Sequence, residues 1–170
     1  MIAVYFKLTA EVLGEIKGPV RDRDNARNGS IALIAIEHDI GSPRDLATGL
    51  ATGKRVHHPI VVTKATDNTS PLFNQMIARN ELIKTAEFLF FGTDSQGGFA
   101  AGRETLQYRI SLTKAFVARV ELVGRVDPAG QENNRFPVTE RISLVYDTIQ
   151  WEWPATKVSV HDNFSSVSSS

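Results

Sequence analysis

His57 and His58 stand side by side in Gly53-Lys54-Arg55-Val56-His57-His58-Pro59, and His38 and His161 complete the imidazoles of this 170-residue chain. A metal centre or a general base would draw on such groups. Adjacent residues of a strand point to opposite faces, however, so His57 and His58 cannot share one ion. His38 and His161 add no H-x-x-x-H spacing. Structural or surface roles are expected for all four. Asp94-Ser95-Gln96-Gly97 superficially offers a serine nucleophile, but it lacks the glycine two residues earlier and the helix that a nucleophile elbow needs. Gly97-Gly98 opens no helix and so makes no phosphate cradle. Asp22 and Asp24 lack the glycine and distal glutamate of a calcium loop. Glu37 and Asp39 share a strand face and could pair as acid and base, though exposed edge acids are the ordinary reading. Trp151 and Trp153 could stack on a ligand; packing against a core or a subunit neighbour is the simpler use. No nucleophile, base and orienting group can be assembled. The expectation is a protein without catalytic residues, cofactor or metal.

The elements that would position these residues are mostly strands. Ile2, Val4, Phe6 and Leu8 alternate with Ala3, Tyr5, Lys7 and Thr9. Ser30–Ile40 reads as a second strand, apolar on both faces, and Val56–Thr63 as a third. Leu82–Phe91 is again apolar on both faces. Glu104–Val123 predicts one long strand with Leu106, Tyr108, Ile110, Leu112, Phe116, Ala118, Val120 and Leu122 on one side, and a bend near Lys114. Phe136–Trp153 closes the series, its apolar phase moving from Ile142, Leu144 and Tyr146 to Ile149, Trp151 and Trp153. Such a switch suits a sheet bending into a barrel.

One helix is well marked, over about residues 69–79. Asn68, Thr69 and Ser70 offer caps, and Pro71 sits where a first-turn residue needs no N–H. Leu72, Phe73, Met76 and Ile77 form an apolar stripe, and Asn80 is a left-handed stop. Turns are expected at Asp94–Gly98 and Asp127–Gly130, and a solvated charged loop at Arg21–Asn28. Gly41–Thr52 is a long connection for a compact domain, hence a functional candidate. The fold class predicted from these elements is mainly β, with strands around one helix. Residues 1–155 form one domain and 156–170 a polar, loose tail ending in Ser165–Ser170.

Bulk composition narrows the function classes. Nineteen basic residues balance nineteen acidic ones, which argues against nucleic acid as a partner. Neutrality also removes the self-repulsion that keeps chains apart. There is no cysteine, so disulfides and cysteine-zinc sites are excluded. The start, Met1-Ile2-Ala3-Val4-Tyr5-Phe6-Lys7-Leu8, lacks the pattern of a secretory signal, and no apolar run approaches ~20 residues, so membrane insertion is not expected.

Particular residues resemble a known family. Gly53-Lys54-Arg55-Val56-His57-His58-Pro59, Thr63-Lys64 and Thr69-Ser70-Pro71-Leu72 are similar in order and spacing to the haemolysin-coregulated protein (Hcp) family of the bacterial type VI secretion system. So are the start, Val4–Leu8 followed by Gly14-Glu15-Ile16, and the closing Glu140–Trp153. The Arg21–Asn28 loop and the serine-rich tail depart from it. The resemblance implies a small barrel of two antiparallel sheets with one flanking helix, six copies in a ring, and rings stacked into a hollow tube driven by a sheath. Spike protein and small effectors would be further partners. It also implies synthesis in the bacterial cytoplasm and export without a cleaved signal, and it brings no active site.

On that reading the functional parts are surfaces. Gly41, Ser42, Pro43, Arg44, Asp45, Leu46 and Thr48 are expected between stacked rings. Phe88, Phe90, Ile149, Trp151 and Trp153 are expected at a subunit interface that covers surplus apolar strand area. The alternative is a monomeric β-barrel module holding a small apolar ligand inside it.

Overall fold

The computed structural model describes residues 2–23, 26–93, 104–124 and 138–164. Asp24, both expected turns (Asp94–Gly98, Asp127–Gly130), the start of the last long strand at Phe136, and Ser165–Ser170 lie outside them. The order is β1 (Ile2–Ala10), β2 (Gly14–Ile16), β3 (Ile31–Leu33), β4 (Ala35–Glu37), β5 (Ile40–Gly41), β6 (Val56–His57), β7 (Ile60–Ala65), α1 (Ser70–Arg79), β8 (Ile83–Thr93), β9 (Glu104–Val123), β10 (Thr139–Trp153) and β11 (Val158–Asn163). All pairings are antiparallel, and the fold is mainly β with one helix, as predicted.

One sheet runs β2-β1-β8-β9-β10-β7-β4, with β3 on β1 and β11 on β10; β5 and β6 form a separate ribbon. The stretch expected as one strand over Ser30–Ile40 is thus shared. Its first part pairs with β1 and its second with β7, across the single residue Ile34. That handover closes the sheet into a barrel, which removes most of its free edges.

Alternation places Phe116 and Ala118 on one face of β9 with Ile110 and Leu112; the structure has its irregularity at Lys114, where a bend is expected, and corrects the face beyond it. Ile110 and Leu112 point inward, but so do Ala115 and Val117, and Phe116 faces away. The change of phase occurs at Lys114, whose φ of 52° is left-handed. Register with β10 is kept across it (Ala115 with Tyr146, Thr113 with Thr148) and shifts only between Ser143 and Leu144. β8 changes phase at the same level, from Ile83 to Ala86, and β10 from Tyr146 to Ile149. Lys84, Lys114 and Asp147 therefore mark one crease across three strands, where the sheet folds over.

The interior is filled by Phe6, Phe88, Ile60, Val62, Ile142 and Leu144, with Phe73 and Met76 of α1. Phe6 stacks on Phe88 at 4.7 Å and on Phe73 at 6.2 Å. α1 ends on a left-handed Asn80, as expected, while its start differs: Thr69 makes no side-chain cap, and the Asp67 carboxylate takes the Thr69 N–H at 2.7 Å and hydroxyl at 2.6 Å.

Two expectations about surplus apolar area need correction. Leu89 and Phe91, on the outer face of β8, are already buried within the chain. The Arg21–Asn28 loop is no solvated turn at Arg27: its guanidinium lies 5.0 Å from the Phe91 ring and 5.6 Å from Tyr5, held by Asp22 at 2.7 Å and by Glu104. The expected loose tail also differs, since Val158–Asn163 pair with β10 from Trp153 to Thr148.

A charged pair sits inside the fold. Lys64 and Glu140 are cross-strand partners on inward positions of β7 and β10, with Nζ and Oε1 2.6 Å apart. Nζ also meets Asp67 at 3.0 Å and donates to the Ala65 carbonyl at 2.9 Å and the Ser70 hydroxyl at 3.2 Å. Ser70 in turn donates to Glu140 at 2.7 Å. Removing one partner strands the other charge in the core. Lys64→Met should therefore cost about 3–5 kcal/mol in urea unfolding, and Lys64→Met with Glu140→Leu should recover most of it.

Candidate assembly surfaces and the root of the projecting arm

The Gly41–Thr52 loop is an ordered arm. β5 and β6 form its stems, pairing Ile40 with His57 and Gly41 with Val56. Beyond them Thr52 donates to the Pro43 carbonyl at 3.0 Å, and Asp45 and Leu50 are joined by a 2.9 Å backbone bond. Arg44 reaches the Gly49 carbonyl at 3.0 Å. Asp45 gathers the N–H groups of Thr48 and Ala47, both at 2.8 Å, and these hold its carboxyl below the usual range. Gly49 closes the tip with φ 70°, a conformation that glycine adopts without strain. Leu46 is fully exposed at the end, with Leu50 largely so.

The five expected interface residues divide. Phe88 and Ile149 are fully buried in this chain's own core and present nothing to a neighbour. Phe90 and Trp151 are partly buried against that core; Phe90 meets Tyr108 at 5.3 Å, and Tyr108 meets Trp153 at 6.3 Å. Trp153 is 45% exposed, and its cross-strand neighbours on β11 enlarge the patch: Val158 faces Trp153, Val160 faces Trp151, and both valines are 56% exposed. Alternation of Val158 and Val160 with Ser159 and His161 is the weak sequence signal that could have marked this strand in place of a loose tail.

At the arm's root the histidines behave as structural groups. His58 is exposed and His57 buried, on opposite sides as expected. His57 Nε2 lies 2.9 Å from Asp162, Nδ1 lies 3.0 Å from the Tyr146 hydroxyl, and that hydroxyl lies 3.2 Å from His38 Nε2. Arg55 pairs with the same Asp162 carboxylate, which is held below the usual range by that bond first and by His57 and the Asn163 N–H besides. An ionised carboxylate only accepts, so His57 Nε2 carries the proton. In the neutral ring Nδ1 then accepts from Tyr146, whose oxygen accepts from His38. Burial, then the charge on Asp162, pushes the Tyr146 hydroxyl up to about 12, so it stays a donor.

Beside this root lies a groove of about 380 Å³, walled by Pro59, Phe116, Val145 and Phe164, with Lys114 and Asp147 also lining it. Phe116 is there because of the phase change at Lys114. Among the described residues no group of three or more histidine, aspartate or glutamate side chains could hold a metal ion. Glu37 pairs with Arg141 at 3.3 Å and Asp39 lies near His58 at 3.9 Å, so the two acids do not form a carboxylate pair. No helix of the described residues is long and apolar enough to cross a membrane.

Residues 5–153 match the family described as "Type VI secretion system effector, Hcp". The chain belongs to the Hcp family. The "Major exported protein" of Pseudomonas aeruginosa is 26% identical over 171 residues, covering 95% of each chain. Among solved structures, "Crystal structure of Hcp protein" superposes with a TM-score of 0.79 at 20% identity, covering 95% of this chain and 99% of that one. Hcp1 from the E. coli EAEC 042 pathovar gives 0.78 at 28% identity, covering 96% and 99%. Hcp proteins are structural components of type VI secretion and not enzymes, in agreement with the absence of an assembled catalytic group in the sequence.

One pH dependence follows from the root. Burial, and after it the neighbouring His57, holds the His38 imidazole below its ordinary value of 6.5, with Asp39 opposing. A lowered folded value means that the neutral ring favours folding. That contribution is complete above about pH 6.5 and is lost as pH falls through the folded value. Urea midpoints of the wild type should drop between about pH 7.5 and 5, and His38→Gln should flatten part of that slope.

Proposed function

We propose that this protein is the subunit of the type VI secretion inner tube: six copies close a ring, and rings stack head to tail into a hollow conduit for small effectors. Sheath and spike proteins are its further partners. The subunit is made in the bacterial cytoplasm and exported without a cleaved signal, consistent with the name of its exported Pseudomonas relative. Family membership supports the system. The observation that carries the assembly is the pairing of an uncovered apolar strip with a projecting arm.

A ring needs a heterologous contact that closes, and a tube needs a second, axial contact that stays open. Trp153, Val158 and Val160, with Phe90 and Trp151 behind them, suit the first. A stable subunit contact buries on the order of 2,000 Å² or more, so the strip would be its apolar centre. Gly41, Ser42, Pro43, Arg44, Asp45, Leu46 and Thr48 suit the second, since they belong to a self-bonded hairpin with Leu46 and Leu50 exposed to a neighbour. A formal charge of zero sets up no long-range repulsion between copies.

Sedimentation and negative-stain electron microscopy test both contacts. The wild type at micromolar concentration should give rings with a central hole. Trp153→Asp combined with Val160→Asp should give folded monomers, and shortening the arm between Arg44 and Ala51 should leave rings that no longer stack. A wild-type chain that stays monomeric would overturn the proposal.

A further inference from the structure

We propose that Asp162, on the C-terminal strand β11, is the positioning residue that sets the direction of the projecting arm. The inference rests on the tube reading only for what the arm touches; the anchoring itself belongs to the isolated subunit. From Ser42 to Lys54 the hydrogen bonds of the arm run within the arm. Two residue pairs, Ile40 with His57 and Gly41 with Val56, are the whole ladder at its stems. A ribbon so short cannot fix its own angle to the barrel, because strands twist and bend freely when few partners hold them.

What holds it is a chain of contacts ending on one carboxylate. On the second stem, Arg55 uses both Asp162 oxygens, and His57 donates to Oδ2 at 2.9 Å. Tyr146 carries the chain to His38, just before the first stem, so both stems are tied. His58 N donates to the Asp39 carbonyl at 3.1 Å and joins the stems at their base. β11 can bear this load because it is paired along its length with β10. Its end is pinned as well: Phe164 N donates to the Asp147 carbonyl at 2.8 Å, and the Phe164 ring meets His57 edge-on at 6.2 Å.

The ionised Asp162 also selects the His57 tautomer, and through it the direction of every later bond. Loss of the carboxylate should therefore loosen both stems, whereas loss of the Tyr146 hydroxyl should loosen only the His38 side.

The absence of cysteine allows clean labelling. Spin labels at Leu46→Cys on the tip and Val12→Cys, exposed on the body, report the arm's direction as a distance distribution. It should be narrow in the otherwise unaltered chain and at least about twofold broader with Asp162→Ala. Tyr146→Phe should broaden it less. Asp162→Asn keeps an acceptor for His57 but not the charge for Arg55; it should also broaden the distribution, and it decides the matter if Asp162→Ala fails to fold. Unchanged widths in the folded Asp162 variants would overturn the proposal. Doubly labelled chains are diluted into unlabelled ones so that each ring carries at most one labelled copy, and a wild type that never stacks would count against the tube and leave this result standing.

Discussion

The ion pair between Lys64 and Glu140 fixes more of this fold than any apolar contact does. Apolar packing is forgiving: many arrangements of Ile60, Val62, Ile142 and Leu144 would bury similar area. A buried ammonium is not forgiving, since it must meet a carboxylate and fill its remaining donor positions or lose several kcal/mol. Here that requirement is met only when β7 and β10 lie in one register, with Ala65 supplying a carbonyl and α1 beginning at Ser70. A slip of β7 by one residue against β10 would carry Lys64, with Ile60 and Val62, to the other face of the sheet and leave Glu140 unpaired in the core. The same cluster thus sets the pairing of β7 with β10 and the place where the only α-helix of the described residues begins.

From that fixed point the crease at Lys84, Lys114 and Asp147 explains how one sheet can both enclose a core and wrap around it. Beyond the crease the inward positions change parity in three neighbouring strands together, which keeps the interior apolar on both sides of the fold line. The cost is that Phe116 and Val145 are turned outward, and their apolar surface becomes the wall of the groove beside the arm. The curvature of the barrel and the exposed groove have one cause. A second anchor of the same polar kind lies at the other end of α1, where Glu81 accepts the N–H groups of Val12 and Leu13 at 3.0 and 2.8 Å.

Much of this was legible in the chain because period-two alternation survives even where a strand changes partner. The long strands, the helix with its Asn80 stop, and the phase change between Tyr146 and Ile149 were all readable. So, in principle, was the buried pair: Lys64 follows Ile60 and Val62 in phase, and Glu140 precedes Ile142 and Leu144 in phase, so each is a charge at an inward position. Alternation could not reveal which element covers an outward face. Arg27 lies about twenty residues from Tyr5 and over sixty from Phe91 in sequence, and nothing local announces that it will lie over both rings. That is why surplus apolar area on β8 was assigned to a neighbour and the core residues Phe88 and Ile149 with it. β11 was missed for a different reason. Its serine, histidine, aspartate and asparagine make it polar on average, and its Val158 and Val160 face outward, so it adds little to the core whose pattern betrays a strand.

The polar contacts divide the molecule by function as well as by depth. Lys64 and Glu140 are sealed from water, so salt screens them little, and they hold the body of the barrel. Arg55 and Asp162 stand near the surface, where solvent screens a single ion pair. Such a pair contributes little to folding, yet a lever needs little: an angle at the root is magnified along the arm, and the His57–Tyr146–His38 chain makes that angle depend on three elements at once. In the proposed tube, holding the arm in one direction beforehand lowers the cost of ordering it against another copy. The barrel and its arm are therefore held by one distribution of charge: a buried cluster fixes strand register, and one nearer the surface ties the arm's stems to β11.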